Sequence, residues 1–389
     1  MKKMFATNFN IEKGHIDFKC YIFDSEKEVE YDIFFDLDDE VIPSNDAIAC
    51  AISTLAGTTF TDLEINLPIS VEMRANIAAF TKASIIAPVN SDAYFTREGR
   101  NIILNFSGGF DSLAAFYLMP KNVKLVSMDF DGAFKRERNF FEKFHPYTLK
   151  TNFRQLKLDR NSWTFMGIGA ILYAEYLSAG FNVFGTILEA TKYHFLYKPT
   201  SAYNNQTPPF SFIGLKDIRY TNGLTEVGTV IVISHYAPEL VNDSLRSLSN
   251  PKTEKRYRKE TLLDIICKKF NRNIVFERTD APDSRIPFGQ NISLDFLCFY
   301  IIKNAGISIA ANTISDIPNE VLQLANKLEL TFYERLNCEF ISGNTFPNNE
   351  SKASFMQRIL ECGVLPYTEN DYKEFREVIN LLNYYHHFQ

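Results

Sequence analysis

The chain has 389 residues, of which 46% are hydrophobic and 23% charged, with 35 Phe, 19 Tyr and a single Trp; this excludes a disordered chain and leaves room for two or three domains. Its formal net charge of −6 argues against a general polyanion-binding surface, so no nucleic-acid partner is expected. Cys20, Cys50, Cys267, Cys298, Cys338 and Cys362 are dispersed without a C-x-x-C pair, which excludes a zinc ribbon or redox dithiol; with no signal-peptide core in MKKMFATNFNIEKGH and no run of about 18 apolar residues, a cytoplasmic, membrane-free location is expected.

Along the chain, HIDFKCYIF and VEYDIFFDLD alternate apolar and polar residues as paired strands do, with SEKE as the turn between them. DAIACAISTLAG reads as a helix with Asp46 near its start and Gly57 at its end, FTDLEINLPIS as a strand and VEMRANIAAFTKA as a second helix. The acidic DLDDE suits a solvated turn or a cation. Residues 1–98 therefore read as an α+β domain of their own. From Arg100 the pattern changes to strands alternating with helices, the mark of βαβ units on a parallel sheet. Strands are expected at NIILNF, VKLVSMDF, FNVFGTIL and TVIVISH, and helices at DSLAAFYLM, SWTFMGIGAILYAEYLSA and the basic TEKRYRKETLLDIICKKF. This α/β domain spans residues 99–270. Residues 271–389 read as a helical region, with helices in SLDFLCFYIIKNAG, NEVLQLANKLELTFYERL, SFMQRILECG and DYKEFREVINLLNYYHHF and turns such as SGNTFPNNES.

The first chemistry-bearing stretch is Ser107-Gly108-Gly109-Phe110-Asp111-Ser112, between a strand and a helix. Two glycines let backbone N–H groups approach an anion closely, and the helix start adds partial positive charge. The hydroxyls of Ser107 and Ser112 add donors, and Asp111 is placed to cap the helix or to organise a magnesium ion bridging phosphate oxygens. Neither G-x-x-x-x-G-K-[ST] nor G-x-G-x-x-G is present, so this is no Walker loop or dinucleotide fingerprint.

The hexapeptide matches S-G-G-x-D-S and so resembles the PP-loop (N-type) ATP pyrophosphatases, which split ATP to AMP and pyrophosphate. The resemblance covers roughly residues 100–270 and implies a parallel-sheet core like that of the adenine nucleotide α-hydrolases, with ATP and Mg2+ as ligands. It implies that VKLVSMDFDG, carrying Asp129 and Asp131, borders the adenine, and that Gly185 and Glu189 of FNVFGTILEAT border the nucleotide. That segment departs from the commoner G-H-x-x-D-D form, which puts a metal role in doubt. RSLSNPKTEKRYRKE resembles the basic element that approaches the phosphates, through Lys255, Arg256, Arg258 and Lys259; a solvated basic helix face has the same composition.

AMP formation in such enzymes follows from attack by a substrate oxygen on the α-phosphorus, with the pyrophosphate charge neutralised by metal and cations. No cysteine lies between Cys50 and Cys267, which removes a thiolating nucleophile from the core; the Met-Lys-Lys start gives no glutaminase cysteine, and no cysteine zinc cluster stands near residue 389. TNFRQLKLDRNSWTFMGIGAILYAEYL, with FSGGFDS, MDFDGAFKRERNFF and FGTILEAT, resembles the ATP-dependent epimerases that invert the terminal glutamate of UDP-N-acetylmuramoyl-L-alanyl-L-glutamate in peptidoglycan synthesis. The resemblance implies a nucleotide-sugar peptide substrate.

Epimerisation needs a base and an acid on opposite faces of the Cα, and His145, Asp129, Asp131, Glu189 and His194 fall in or beside expected strand ends. Lys135, Arg136 and Arg138 suit a diphosphate or a glutamate carboxylate, and Arg154, Arg160, Asn161 and Trp163 suit a substrate pocket. For each, a hydrogen-bonded structural residue, a solvated helix face or, for Trp163, a core anchor accounts for the residue equally well. Two alternatives remain open at this stage: an amide-forming or deazapurine-synthase-like PP-loop ligase, and an inactive nucleotide-binding protein of regulation or defence.

Overall fold

The computed structural model describes residues 2–25, 27–38, 40–90, 99–196, 206–341 and 346–388. Glu26 of SEKE, Asp39 of DLDDE and the SGNT of the last turn lie outside them. The chain forms two compact units, interleaved in sequence: Met1–Ser107, Asn122–Phe184 and Asn205–Ile218 make the first, and Gly108–Lys121, Gly185–Asn204 and Arg219–Gln389 the second.

The first unit is built on a mostly parallel sheet. Its strands are β1 Lys2–Glu12, β2 His15–Asp24, β3 Lys27–Leu37, β4 Asp62–Ile65, β5 Ser84–Ile86, β6 Asn101–Asn105, β7 Lys124–Asp129, β8 Tyr147–Thr151, β9 Ala179–Val183 and β10 Lys216–Ile218. They lie in the order β10-β9-β6-β7-β8-β3-β2-β1-β4-β5. The strands β10, β9, β6, β7 and β8 pair in parallel, as alternating strands and helices lead one to expect. The β1–β2–β3 meander is antiparallel, its first turn closed at Gly14 with φ 72°. Sequence places a domain boundary at residue 98, yet β3 joins β8 antiparallel through Phe35↔Thr151 and Leu37↔Leu149, so residues on both sides of it share one sheet.

Helices α1 Asn45–Ala56 and α2 Val71–Thr81 start where Ser44 and Ser70 accept from Ala47 N and Met73 N, the N-cap bonds that hydroxyl residues supply. The small side chains of α1 leave Asp46 to Ala56 buried throughout, and one apolar core runs from Met4 and Phe35 through Ile48, Leu63 and Leu149 to Tyr173 and Phe210. The same unit holds α4 Lys135–Phe141 and α5 Ile168–Tyr173. The long helix expected over SWTFMGIGAILYAEYLSA is shorter: a 3-10 turn, Trp163–Gly167, leads into α5, and the chain turns to enter β9 at Ala179. A Cβ on Gly169 would stand 2.8 Å from Val126 Cγ1, so glycine lets α5 lie close on β7.

The second unit is helical: α3 Phe110–Leu118, α6 Tyr193–Leu196, α7 Glu226–Tyr236, α8 Val241–Leu248, α9 Glu254–Lys269, α10 Ile292–Ala305, α11 Ile307–Ala310, α12 Asn319–Lys327, α13 Asn349–Glu361 and α14 Glu369–His386. TVIVISH, expected as a strand, lies inside α7. Thr225 caps that helix by accepting from Gly228 N, and Glu226 to Ser234 are all buried; a helix covered on every side carries no polar stripe, so its apolar run looks like a buried strand. α7 packs against α3 and α9. The last helix, α14, carries a capping box between Thr368 and Asp371.

Candidate functional site

The chain enters the second unit at Gly108, whose φ of 78° suits glycine, and Gly109 is the N-cap of α3. Gly109 brings no side chain of its own to the N-cap, and the first turn of a helix presents N–H groups that suit an anion. Ser244 Oγ on α8 donates to Gly108 O at 2.7 Å and fixes the turn. Ser112 Oγ donates to Gly109 O at 3.0 Å, directing that proton into the helix rather than outward. Gly185 lies against the same corner: a Cβ there would stand 2.5 Å from Ser112 N and 2.6 Å from Asp111 C, so only glycine permits the approach.

Asp111 does not cap α3. Its Oδ1 accepts from Thr229 Oγ1 of α7 at 2.8 Å and from Lys259 Nζ of α9 at 3.0 Å. Lys259 is 1% exposed while the Asp111 side chain is 31% exposed, so a buried cation backs a carboxylate that reaches the surface. Partial burial works to raise the Asp111 pKa, but the Lys259 charge, the two hydrogen bonds and the charge of Lys255 hold it below the usual carboxylate range. Lys255 stands one turn before Lys259 on the same helix face. It is exposed, and among the described residues no hydrogen bond or ion pair holds it.

Behind Lys259 lies a buried charged network. Glu226 Oε1 is 3.3 Å from Lys259 Nζ, and Glu226 Oε2 accepts from Arg258 Nη1. Arg258 Nε also donates to Glu254 Oε1 at 2.5 Å, and these carboxylates drive the arginine pKa upward against the effect of burial. The Glu226 backbone N–H donates to Glu189 Oε1 at 2.7 Å. Glu189 is fully buried, its other oxygen has no hydrogen-bond partner among the described residues, and burial reinforced by the Glu226 charge pushes its pKa up to about 8. Both effects favour the neutral, protonated form of Glu189.

Of the four expected phosphate cations, Lys255 and Lys259 come to the corner, and Arg258 stands in the network behind it. Arg256 faces elsewhere: it is buried against Glu260 and the Glu277 carbonyl. His194 Nδ1 donates to the Leu188 and Ile187 carbonyls, and burial, with the Arg219 charge, pushes its pKa down. Sequence reasoning misses Thr229, Glu226 and Ser244. The Thr225-Glu226 pair, a helix-start signal ahead of the TVIVISH run, is the clue that places two of them.

The remaining expected site residues belong to the first unit. An open groove of about 520 Å3 is lined by Asp36, Asp38, Asp129, Arg138, Glu142, His145, Pro146, Thr148 and Lys150. Asp129 is buried, accepting from Asp131 N at 2.9 Å and from Arg138 Nη1 at 3.2 Å. In register Lys150 stands between Asp129 and Asp36. His145 is exposed at φ 50° just before β8. Of the expected substrate residues, Arg136 and Arg154 meet at one ring, while Asn161 and Trp163 have separate contacts. Arg154 stacks on Phe134 at 3.7 Å and pairs with Asp159, Arg136 lies 5.8 Å from the same ring, and Arg160 is exposed. Asn161 caps the end of α1 by donating to Leu55 O at 2.7 Å. Trp163, 56% exposed, meets Phe184 edge-on and so is no core anchor.

Magnesium is held through one or two carboxylates together with phosphate oxygens and water. The single surface-reaching carboxylate of Asp111 fits an ion that arrives with a polyphosphate, and among the described residues no cluster of three His, Cys, Asp or Glu side chains is arranged to hold a metal alone. No helix is long and apolar enough to cross a membrane among the described residues. No protein-family model, curated protein or solved structure matches the chain.

Proposed function

We propose that the chain is a PP-loop ATP pyrophosphatase that activates a substrate carboxylate by adenylation. The observation that carries this is Asp111 on the first turn of α3, held by Thr229 and Lys259 beside a glycine-built helix start. The N–H groups of that start take phosphoryl oxygens, and Lys255 and Lys259 oppose the charge that develops as pyrophosphate leaves. Asp111 would hold the magnesium, which supplies further charge neutralisation. With the β- and γ-phosphates gripped at the loop, the α-phosphorus is the atom left open to attack.

The finer proposal is epimerisation of the terminal glutamate of UDP-N-acetylmuramoyl-L-alanyl-L-glutamate. Adenylation removes the carboxylate charge that makes its α-proton nearly inert; abstraction, reprotonation on the other face and hydrolysis then return the inverted acid. Asp129 and His145 line one groove with Arg138 and Lys150, which gives base and acid candidates beside cations that suit carboxylates. The test is incubation with ATP, Mg2+ and this substrate in deuterated water. AMP together with deuterium at the glutamate Cα is expected. AMP without Cα exchange would remove the epimerisation and keep the adenylation; neither product would contradict both.

A further inference from the structure

Glu226 has no task in the chemistry above, yet its placement is specific. It opens α7, its side chain is buried, and Oε2 is taken by Arg258. Among the described residues Oε1 accepts no hydrogen bond, and it faces Lys259 Nζ at 3.3 Å. Arg258 already has a second carboxylate in Glu254, so Glu226 is not required merely to neutralise that arginine. Lys259 is thereby held between two carboxylates, Asp111 in front and Glu226 behind.

The charges around the loop then cancel. Lys255, Arg258 and Lys259 stand against Asp111, Glu226 and Glu254. A site of zero net charge and partly excluded water offers a bare polyphosphate no surplus attraction, because the gain from each cation is offset by a neighbouring carboxylate. A polyphosphate that brings a divalent cation carries much of its own compensation and gives Asp111 a partner.

We propose that Glu226 is a specificity-determining residue that cancels the surplus charge of Lys259, so that the loop accepts polyphosphate as its divalent-cation complex and rejects the free anion. The proposal rests on the ATP-binding role of the loop. It is distinct from catalysis, since Glu226 touches no reacting atom.

Calorimetric titration of the full chain with inorganic pyrophosphate, in EDTA and in Mg2+, tests it without turnover. The parent protein is expected to bind much more tightly with Mg2+. In Glu226→Gln the loop gains a net positive charge, so binding in EDTA should tighten about tenfold while binding in Mg2+ changes little. Glu254→Gln, on the more exposed side of Arg258, should act in the same direction by about threefold and serves where Glu226→Gln does not fold. An unchanged EDTA-to-Mg2+ ratio in the folded variants, or a uniform loss in both arms, overturns the proposal. A parent protein that binds no pyrophosphate under either condition overturns the ATP role itself, and the proposal with it.

Discussion

Asp111 and Glu189 are both carboxylates within one helical unit, and their surroundings push them in opposite directions. Asp111, beside Lys259, stays ionised, whereas Glu189, buried with Glu226 as its charged neighbour, holds its proton up to about pH 8. The unfolded chain releases the Glu189 proton near pH 4.5, so between these values the folded state binds more protons than the unfolded one. Stability from this residue is therefore full below about pH 4.5, falls as pH rises towards about 8, and levels above it. Glu189→Gln keeps the acceptor for Glu226 N–H and cannot titrate. Urea unfolding at a series of pH values should show a shallower fall for the variant; identical slopes in variant and parent would mean that Glu189 is ionised in the folded protein.

At the scale of elements, α9 divides its basic residues by face. Lys255 and Lys259 face the loop, while Arg256 is sealed against Glu260. Lys255→Met should leave stability within about 0.5 kcal/mol and weaken pyrophosphate binding. Arg256→Met should do the reverse, costing about 3 kcal/mol through the carboxylate left buried without its partner, with ligand affinity per folded molecule unchanged. Chemical denaturation and calorimetry on both variants separate the two faces, and matching losses in both would contradict the division. The glycine corner is legible in the sequence because it is local: Gly108, Gly109 and Asp111 adjoin the start of α3. The basic helix is legible as a composition, but not which of its cations meet the loop, since that depends on the rotation of α9 and on partners from α7. α7 itself escapes because its run of Val and Ile is buried on all faces. Asn161 and Trp163, adjacent to one expected pocket in sequence, are claimed by the end of α1 and by Phe184, contacts that no local pattern announces.

On the scale of the whole molecule, sequence order and spatial order part company. Residues 1–98 read as an independent domain, but β3 is completed by β8, α1 is capped by Asn161, and Cys50 Sγ meets the Pro209 carbonyl at 3.4 Å. Produced alone, residues 1–98 would expose the β3 edge and one side of α1. The fragment should lack a cooperative unfolding transition and a dispersed amide spectrum; a well-folded fragment would contradict the single shared core. The alternating strand-helix pattern after Arg100 does foretell the parallel pairing of β7, β6 and β9, because strand period and helix period are written in the residues themselves, whereas β8 and β10, which pair in parallel beside them, are not among the expected strands. The joining of that sheet to the first three strands is a long-range choice without a local signal.

Adenylation breaks ATP between its α- and β-phosphoryl groups. Phosphorus NMR of ATP incubated with Mg2+, the carboxylate substrate and the full chain reads this directly. AMP and pyrophosphate should appear together, and Asp111→Ala, folded by its thermal transition, should slow their formation at least about 100-fold. Products appearing as ADP and phosphate, or AMP formation undiminished in Asp111→Ala, would contradict the assignment of Gly108 to Ser112 as a pyrophosphate cradle.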